Sequence, residues 1–513
     1  MRNSPLALTT SIHILDDDSL LNVFYLYRPF LSGEDDDDED SCLFGGNGGW
    51  DRGRWWYKLA HVCQRWRNVV LGSAAYLDVS LVCTNGTPVG DMLAHSPPLP
   101  LVVEYKFDEN YYITEEDEKA AIFALKQYDR VRRVRLWMPP TSLQKFITTM
   151  EEEYPILEYL IILHPPKDKT TILTFPETFQ APHLRHLFLM SIALPIGSQL
   201  LMTAVGLVTF GLFMLNPSSY FHSNTLLQWL SFMPQLKTLF INFYFPDRNR
   251  HVEEQRTHTA IPTPVTLRNL RHFRFYGFTA YFEALFYRIY APRLETLRIT
   301  FFNQLTFSVP RLLHFMGTTE NLRFKTARFK FSDEDIGVEV YPHEEADMCA
   351  LSVDVRCCHL DWQVSFAAQI FNALSPVLSA VEHLTFEHEF HSQSSEEHNE
   401  VDPTEWRKLL SSFRNVKTLR IATGLVEELS CCLQLDDGEL PLELLPELQE
   451  LTYSGSGDSG NAFTSFINAR LGAGRPITLA RRSPSPDPRT RASSPEPSSI
   501  IPASAEADSD LDT

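Results

Sequence analysis

A six-residue pattern recurs along most of this chain, with an apolar residue at its first, fourth and sixth positions. It occurs at Val131-Val134-Leu136, Leu157-Leu160-Ile162, Leu184-Leu187-Leu189 and Leu207-Phe210-Leu212. It returns at Leu236-Leu239-Ile241, Leu270-Phe273-Phe275 and Leu294-Leu297-Ile299, then at Val381-Leu384-Phe386, Val416-Leu419-Ile421 and Leu448-Leu451-Tyr453. The first seven copies are 26, 27, 23, 29, 34 and 24 residues apart; a gap of 87 follows, then spacings of 35 and 32. Alternation of this kind describes a strand buried on one face. Helical patterns lie between copies, at Leu226 to Phe232, Tyr281 to Ile289, Pro310 to Phe315, Trp362 to Leu374 and Trp406 to Phe413. A strand–helix unit of this size cannot bury its apolar face alone, so neighbouring units must stack. The expected fold is α/β: a solenoid of parallel strands with helices outside. The long gap leaves room for two degenerate copies, near Leu322 and Leu351.

The pattern resembles divergent leucine-rich repeats, whose parallel strands line the concave side of an arc. The Asn or Cys that usually follows the strand has no constant register here, so the repeats are irregular. Ahead of them, Trp55, Leu59, Val62, Trp66 and Val69 recur at steps of four and three, giving one face of a single helix that stops near Gly72. Leu77, Val79 and Leu81 alternate as a strand. A short helix with aromatics on its apolar face needs a neighbour, because isolated helices of this length are marginal. The neighbour is a helix carrying Leu20, Leu21 and Phe24, capped by Asp17 or Asp18.

This helical pair resembles an F-box. Val62-Cys63-Gln64-Arg65-Trp66 matches the second part of its pattern, and Leu20-Leu21-Asn22-Val23-Phe24 corresponds to the first, with Ile14-Leu15 where Leu-Pro is expected. The chain as a whole resembles fungal-type F-box proteins with divergent leucine-rich repeats. The resemblance implies docking on the Skp-type adaptor of a cullin–RING ubiquitin ligase through Ile14, Leu15, Leu20, Leu21, Phe24, Leu59, Val62, Cys63 and Trp66. It implies a substrate-recruiting subunit without covalent chemistry, cytoplasmic and/or nuclear, whose repeats bind a target. The alternative is a leucine-rich-repeat interaction scaffold with no link to ubiquitin.

Three regions are expected: a helical F-box-like domain over 1–80, a repeat arc over 81–475, and a disordered Ser/Pro-rich tail over 476–513. Within the first, residues 33–49 carry a run of acids and then glycines, a composition that cannot bury surface and reads as a disordered insertion. Ser483-Pro484, Ser485-Pro486 and Ser494-Pro495 in the tail are candidate sites for proline-directed kinases.

The net charge of −20 argues against general nucleic-acid binding, which needs a basic footprint. Eight cysteines in 513 residues, several inside apolar runs, suggest reduced thiols rather than a disulfide framework. No Asp, Glu, Lys or Arg lies between Arg185 and Lys237. The repeat register nevertheless absorbs Leu200 to Leu215 as a strand, so no membrane span is expected. Gly455-Ser456-Gly457-Asp458-Ser459-Gly460 matches a dinucleotide-binding fingerprint in form, but the acidic partner expected ~20 residues on falls in the tail. Cys357-Cys358-His359 with His383, His388 and His391 lacks the paired ligand spacing of a zinc site. No enzyme, metal or cofactor is expected.

The second, third and fifth residues of each six-residue pattern face away from the core. These 30 positions hold ten Lys or Arg and four acids, in a chain with 45 basic and 65 acidic residues. Long basic side chains also cover apolar strand edges without any ligand. The functional alternative is a target-binding face that takes an acidic or phosphorylated protein segment through Arg135, Arg271, Arg274, Arg298 and Arg420. Arg274 and Arg298 share a column, so changing both to Glu should weaken target binding and flatten its salt dependence without touching adaptor binding. Unchanged affinity and salt slope in the folded double variant leave the column as a solvated face.

Overall fold

The computed structural model describes residues 15–29, 54–106, 113–164, 173–215, 220–243, 264–302, 309–318, 324–332, 335–346, 348–357, 359–389, 402–434, 444–454 and 462–482. The insertion over 33–49, Leu322, the Gly455 to Gly460 run and the Ser-Pro dipeptides fall outside them, as do Ile14, Cys358 and His391.

Three short helices come first: α1 (Asp17–Tyr27), α2 (Trp55–Ala60) and α3 (Gln64–Gly72). α1 is capped by Asp16, one residue earlier than expected, whose carboxylate accepts the Ser19 amide at 2.7 Å. The single helix expected from Trp55 onward is two helices. The chain breaks at His61–Cys63, and Cys63 is extended (φ −160°, ψ 170°). Arg67 stabilises the break by donating from Nε to the Ala60 carbonyl at 3.1 Å. Leu20, Phe24, Trp55, Trp56 and Leu59 are buried together, and Phe24 meets Trp66 edge to face at 4.9 Å. The strand expected from Leu77 is confined to Leu81–Cys83, because Asp78 takes a left-handed backbone (φ 54°) that no strand allows.

One sheet of sixteen strands follows. β1 (Leu81–Cys83), β2 (Leu101–Lys106), β3 (Val131–Trp137) and β4 (Tyr159–Leu163) open it. β5 (Leu173–Thr174) and β7 (Ile192–Ala193) pair with each other outside it, flanking β6 (His186–Met190). β8 (Thr209–Leu215) and β9 (Thr238–Phe243) continue it; the pair β10 (Val265–Thr266) and β12 (Ile289–Tyr290) flanks β11 (His272–Gly277). β13 (Thr296–Phe301), β14 (Thr326–Ser332), β15 (Asp335–Tyr341) and β16 (Leu351–Arg356) come next. β17 (His383–Glu389), β18 (Thr418–Ile421), β19 (Glu450–Ser454) and β20 (Thr478–Arg482) complete the set. The order is β1-β2-β3-β4-β6-β8-β9-β11-β13-β16-β15-β14-β17-β18-β19-β20, and every neighbouring pair is parallel except those made by β15.

The ten expected registers align in space. Val134, Leu160, Leu187, Phe210, Leu239, Phe273 and Leu297 are successive cross-strand partners. Leu136, Ile162, Leu189, Leu212, Ile241, Phe275 and Ile299 form a second column two residues on. Both columns are buried under helices. Phe282 and Phe286 of the helix Thr279–Phe286 stack on Phe273, and Trp406 of the helix Pro403–Ser411 packs on Phe331 and Phe386. No helix among the described residues is long and apolar enough to cross a membrane; Leu200 to Leu215 supplies the end of the short helix Gln199–Thr203 and then β8.

Of the two copies expected in the gap of 87 residues, the one near Leu351 is present as β16, parallel to β13 with Leu351 opposite Leu297, but it does not follow β13 directly in the chain. After β13 the chain crosses to β14, returns through antiparallel β15, and only then places β16 beside β13. A 19-residue helix, Leu360–Leu378, spans the way from β16 to β17 and covers this meander. The expected tail is corrected too. Ile477 is buried and β20 pairs with β19 through Leu479↔Leu451, so the sheet runs to Arg482 rather than ending at 475. The structure is thus mixed α/β with one large, mostly parallel sheet.

Within the meander Asp354 faces Gly337 across the strands, and a Cβ at Gly337 would stand 2.6 Å from its carboxylate. Burial pushes the Asp354 carboxyl up to about 7, although the Ser352 hydroxyl donates to it at 3.1 Å; Asp335 and Glu339 push the same way. Its ordinary value is 3.8, so the folded state holds the proton more tightly than the unfolded chain. No stability is lost below pH ~4; the loss grows as pH rises and is complete above ~7. Asp354→Asn should therefore melt higher than the parent at pH 8, by up to roughly 3 kcal/mol, with the difference vanishing towards pH 4. Thermal denaturation across that range checks it, and a pH-independent difference contradicts it.

Candidate docking surface and charged cleft

Two surfaces carry the side chains expected to act. The first is on the helical unit. Leu20, Phe24 and Leu59 are core, so they hold the surface in place and do not face a partner. Leu21, Cys63 and Trp66 are half-buried. Leu15 is exposed, and Val62 is 57% exposed because the helix breaks at that point and turns its side chain outward. Arg65 ties the two parts together: its Nε donates to the Asp17 carboxylate at 2.8 Å and its Nη2 to the Leu15 carbonyl. The first turn of α3 is thereby tied to the N-terminal end of α1.

Sequence reading missed the exposed flank of α1. Val23 and Leu26 lie one turn apart on one face, and Leu26 is 83% exposed. Tyr25 and Tyr27 are exposed beside them and touch Tyr76 and Trp55 respectively. The i, i+3 spacing of Val23 and Leu26 carries that signal, on a flank away from the buried Leu20 and Phe24. A leucine this exposed amid other apolar side chains is the kind of patch that marks a partner surface.

The second surface is the sheet face opposite the helices. The second position of the pattern forms an ion-pair ladder at the strand starts: Arg132–Glu158 at 3.0 Å, Arg271–Glu295 at 3.3 Å and Lys417–Glu382 at 2.8 Å. At the third position histidines bond threonines on the next strand: His186–Thr209 at 3.1 Å, His272–Thr296 at 2.8 Å and His383–Thr418 at 2.7 Å. Burial, and then the charges of Arg185, Arg133 and Lys237, press His186 down to about 4, so its ring stays neutral.

The fifth position runs Arg135, Ile161, Phe188, Gly211, Phe240, Arg274, Arg298. Its centre is apolar: Phe188 and Phe240 are buried against Phe213 and Ile161, with ring centroids 5.5 to 6.1 Å apart. Arg274 lies over Phe240 at 5.6 Å.

The five expected target-binding arginines do not converge. Arg274 and Arg298 are cross-strand partners, as expected, but Arg135 stands five strands from Arg274, about 24 Å. Arg271 pairs with Glu295, Arg420 with Glu344 and Arg135 with Glu104. The basic excess is largely offset by acids the six-residue pattern does not contain, namely Asp78, Glu104 and Glu344. Among the described residues no group of three metal-ligating side chains occurs, and the Cys357 thiol lies 3.7 Å from the His359 carbonyl.

A cleft on this face lies where the helical unit meets β2 to β4. It encloses about 270 Å³ and is walled by Arg28, Asp78, Glu104, Arg133, Arg135 and Tyr159. Asp78 accepts Arg28 at 3.2 Å and Arg132, with Arg133 a more distant third at 3.5 Å. Arg133 lies over the Tyr159 ring at 4.6 Å, and Tyr159 stacks on His186 at 4.2 Å. Burial pushes the Glu104 carboxyl above its usual range, against the pull of Arg135.

No family model matches the chain, and no curated protein matches it.

The aromatic centre depends on Gly211. A Cβ there would meet the Phe188 ring at 2.5 Å and the Phe213 ring at 2.7 Å. Gly211→Ala should cost about 1–3 kcal/mol, read as a lower melting temperature, because both rings must leave their positions. Gly90→Ala, where the added methyl meets nothing, should leave the melting point unchanged or raise it. Equal effects at the two sites contradict this packing.

Proposed function

We propose that the chain is the substrate-recruiting subunit of a Skp–cullin–F-box ubiquitin ligase, with the helical unit docking on the Skp-type adaptor and an irregular leucine-rich-repeat solenoid presenting the target. One observation carries the reading. Val62, first residue of the Val-Cys-Gln-Arg-Trp match, is exposed at a helix break, and Arg65 of the same match reaches the Leu15 carbonyl and the Asp17 carboxylate at the N-terminus of α1. The sixteen-stranded, mostly parallel sheet with a returning helix between most strands supports the solenoid half of the proposal. Arg28 and Trp56 join the two parts: Arg28 reaches Asp78 at 3.2 Å, and the Trp56 indole N–H donates to the Ser80 carbonyl at 3.0 Å. A target on the sheet is thereby held at a set position relative to the adaptor, and effective concentration does the rest.

Val62→Asp and Leu26→Asp test it. Both side chains are solvent-exposed in the free protein, so a charge there should leave the melting temperature nearly unchanged. Buried against a partner, the same charge costs several kcal/mol, which should lower adaptor affinity by about 100-fold or more. Titration of purified adaptor against parent and variants checks this. Wild-type affinity in Val62→Asp, or no adaptor binding by the parent, overturns the proposal in favour of a repeat scaffold with no link to ubiquitin.

A further inference from the structure

The cleft between the helical unit and β2 to β4 encloses about 270 Å³ and is lined by both charged and apolar side chains. Its walls bring Arg28, Arg133 and Arg135 together with only two acids, Asp78 and Glu104. Asp78 is already engaged by Arg28 and Arg132, which leaves Arg133 at 3.5 Å, a long reach for a hydrogen bond. Arg135 stands 3.6 Å from Glu104. Arg133 and Arg135 are two residues apart on one strand, so they point to the same face about 6.6 Å from each other. An anionic group held between them could draw donors from both guanidiniums, and the rings of Tyr159 and Trp55 close the sides.

We infer that this cleft binds a peptide carboxylate, either a chain terminus or an Asp or Glu side chain, with the neighbouring residues of that peptide running over Ile161 and an apolar side chain about three residues along resting on Phe213. Charge selects the carboxylate. Three cations against two acids leave one positive charge in the walls, which a carboxylate matches and a phosphate dianion exceeds. The apolar requirement follows from continuity. Ile161 belongs both to the cleft and to the Phe188, Phe213 and Phe240 cluster, and Phe213 lies two strands beyond it. Two strand spacings are about 10 Å, three residues of extended peptide. The inference goes beyond the ligase reading and stands whether or not an adaptor docks.

Affinity selection with synthetic decapeptide libraries on the purified full-length chain tests it. Four library formats combine a free or amidated C-terminus with the presence or absence of Asp and Glu. Enrichment should occur only in formats carrying a carboxylate, and the format that works tells a terminal group from a side chain. Arg133→Met and Arg135→Met should each lower affinity for the selected peptides at least 10-fold, with melting temperature and adaptor binding unchanged. Arg420→Met, far across the sheet, should change nothing. Because the two variants are independent, one that folds poorly leaves the other to decide. The inference is overturned by no enrichment, by equal enrichment of the amidated acid-free library, or by unchanged affinity in the folded variants. Phosphorylated counterparts binding 10-fold more tightly than their carboxylate parents also overturn it.

Discussion

Each strand of the sheet must present its apolar residues at the height at which its neighbours present theirs. A slip of one residue would turn every one of those side chains to the opposite face. The unbroken columns from Val134 to Leu297 and from Leu136 to Ile299 satisfy this over seven consecutive strands. Everything else follows from that alignment. It stacks the ion pairs of the second position and the His–Thr bonds of the third, and it lines up the fifth position into an apolar centre flanked by arginines.

The same constraint explains how much of the fold could be read beforehand. A parallel strand returning after a helix repeats its spacing, and ten of the sixteen strands were legible for that reason. β2 was not, because a bulge between Leu101 and Val102 replaces the first–fourth–sixth spacing with simple alternation of Leu101, Val103 and Tyr105. β20 was hidden because Arg481 stands where its neighbour has Tyr453. The β14–β16 meander broke the period because an antiparallel return needs no intervening helix.

The sites were less legible than the fold, again for physical reasons. The letters of Val62-Cys63-Gln64-Arg65-Trp66 identify a helical unit, but periodicity cannot say that the helix breaks at Val62 and exposes it. The packing positions Leu20 and Phe24 were legible, but they did not show how far Leu26 stands out into solvent. On the sheet, the arginines were visible as a column, yet their counter-charges lie in elements with a different spacing. Asp78 is the clearest case. It sits in a left-handed turn between the helical unit and β1, and draws Arg28, Arg132 and Arg133 from both sides of that junction. Only tertiary structure brings those four residues together.

The central claim is that one end of the helical unit is a partner surface while the sheet remains free for a target. Hydrogen–deuterium exchange of the full-length chain, with and without saturating purified Skp-type adaptor, tests it most directly. The account predicts slowed exchange confined to residues 15–28 and 61–70, with the strands between 131 and 301 unchanged. Protection centred on those strands, or none anywhere at saturating adaptor, would contradict it.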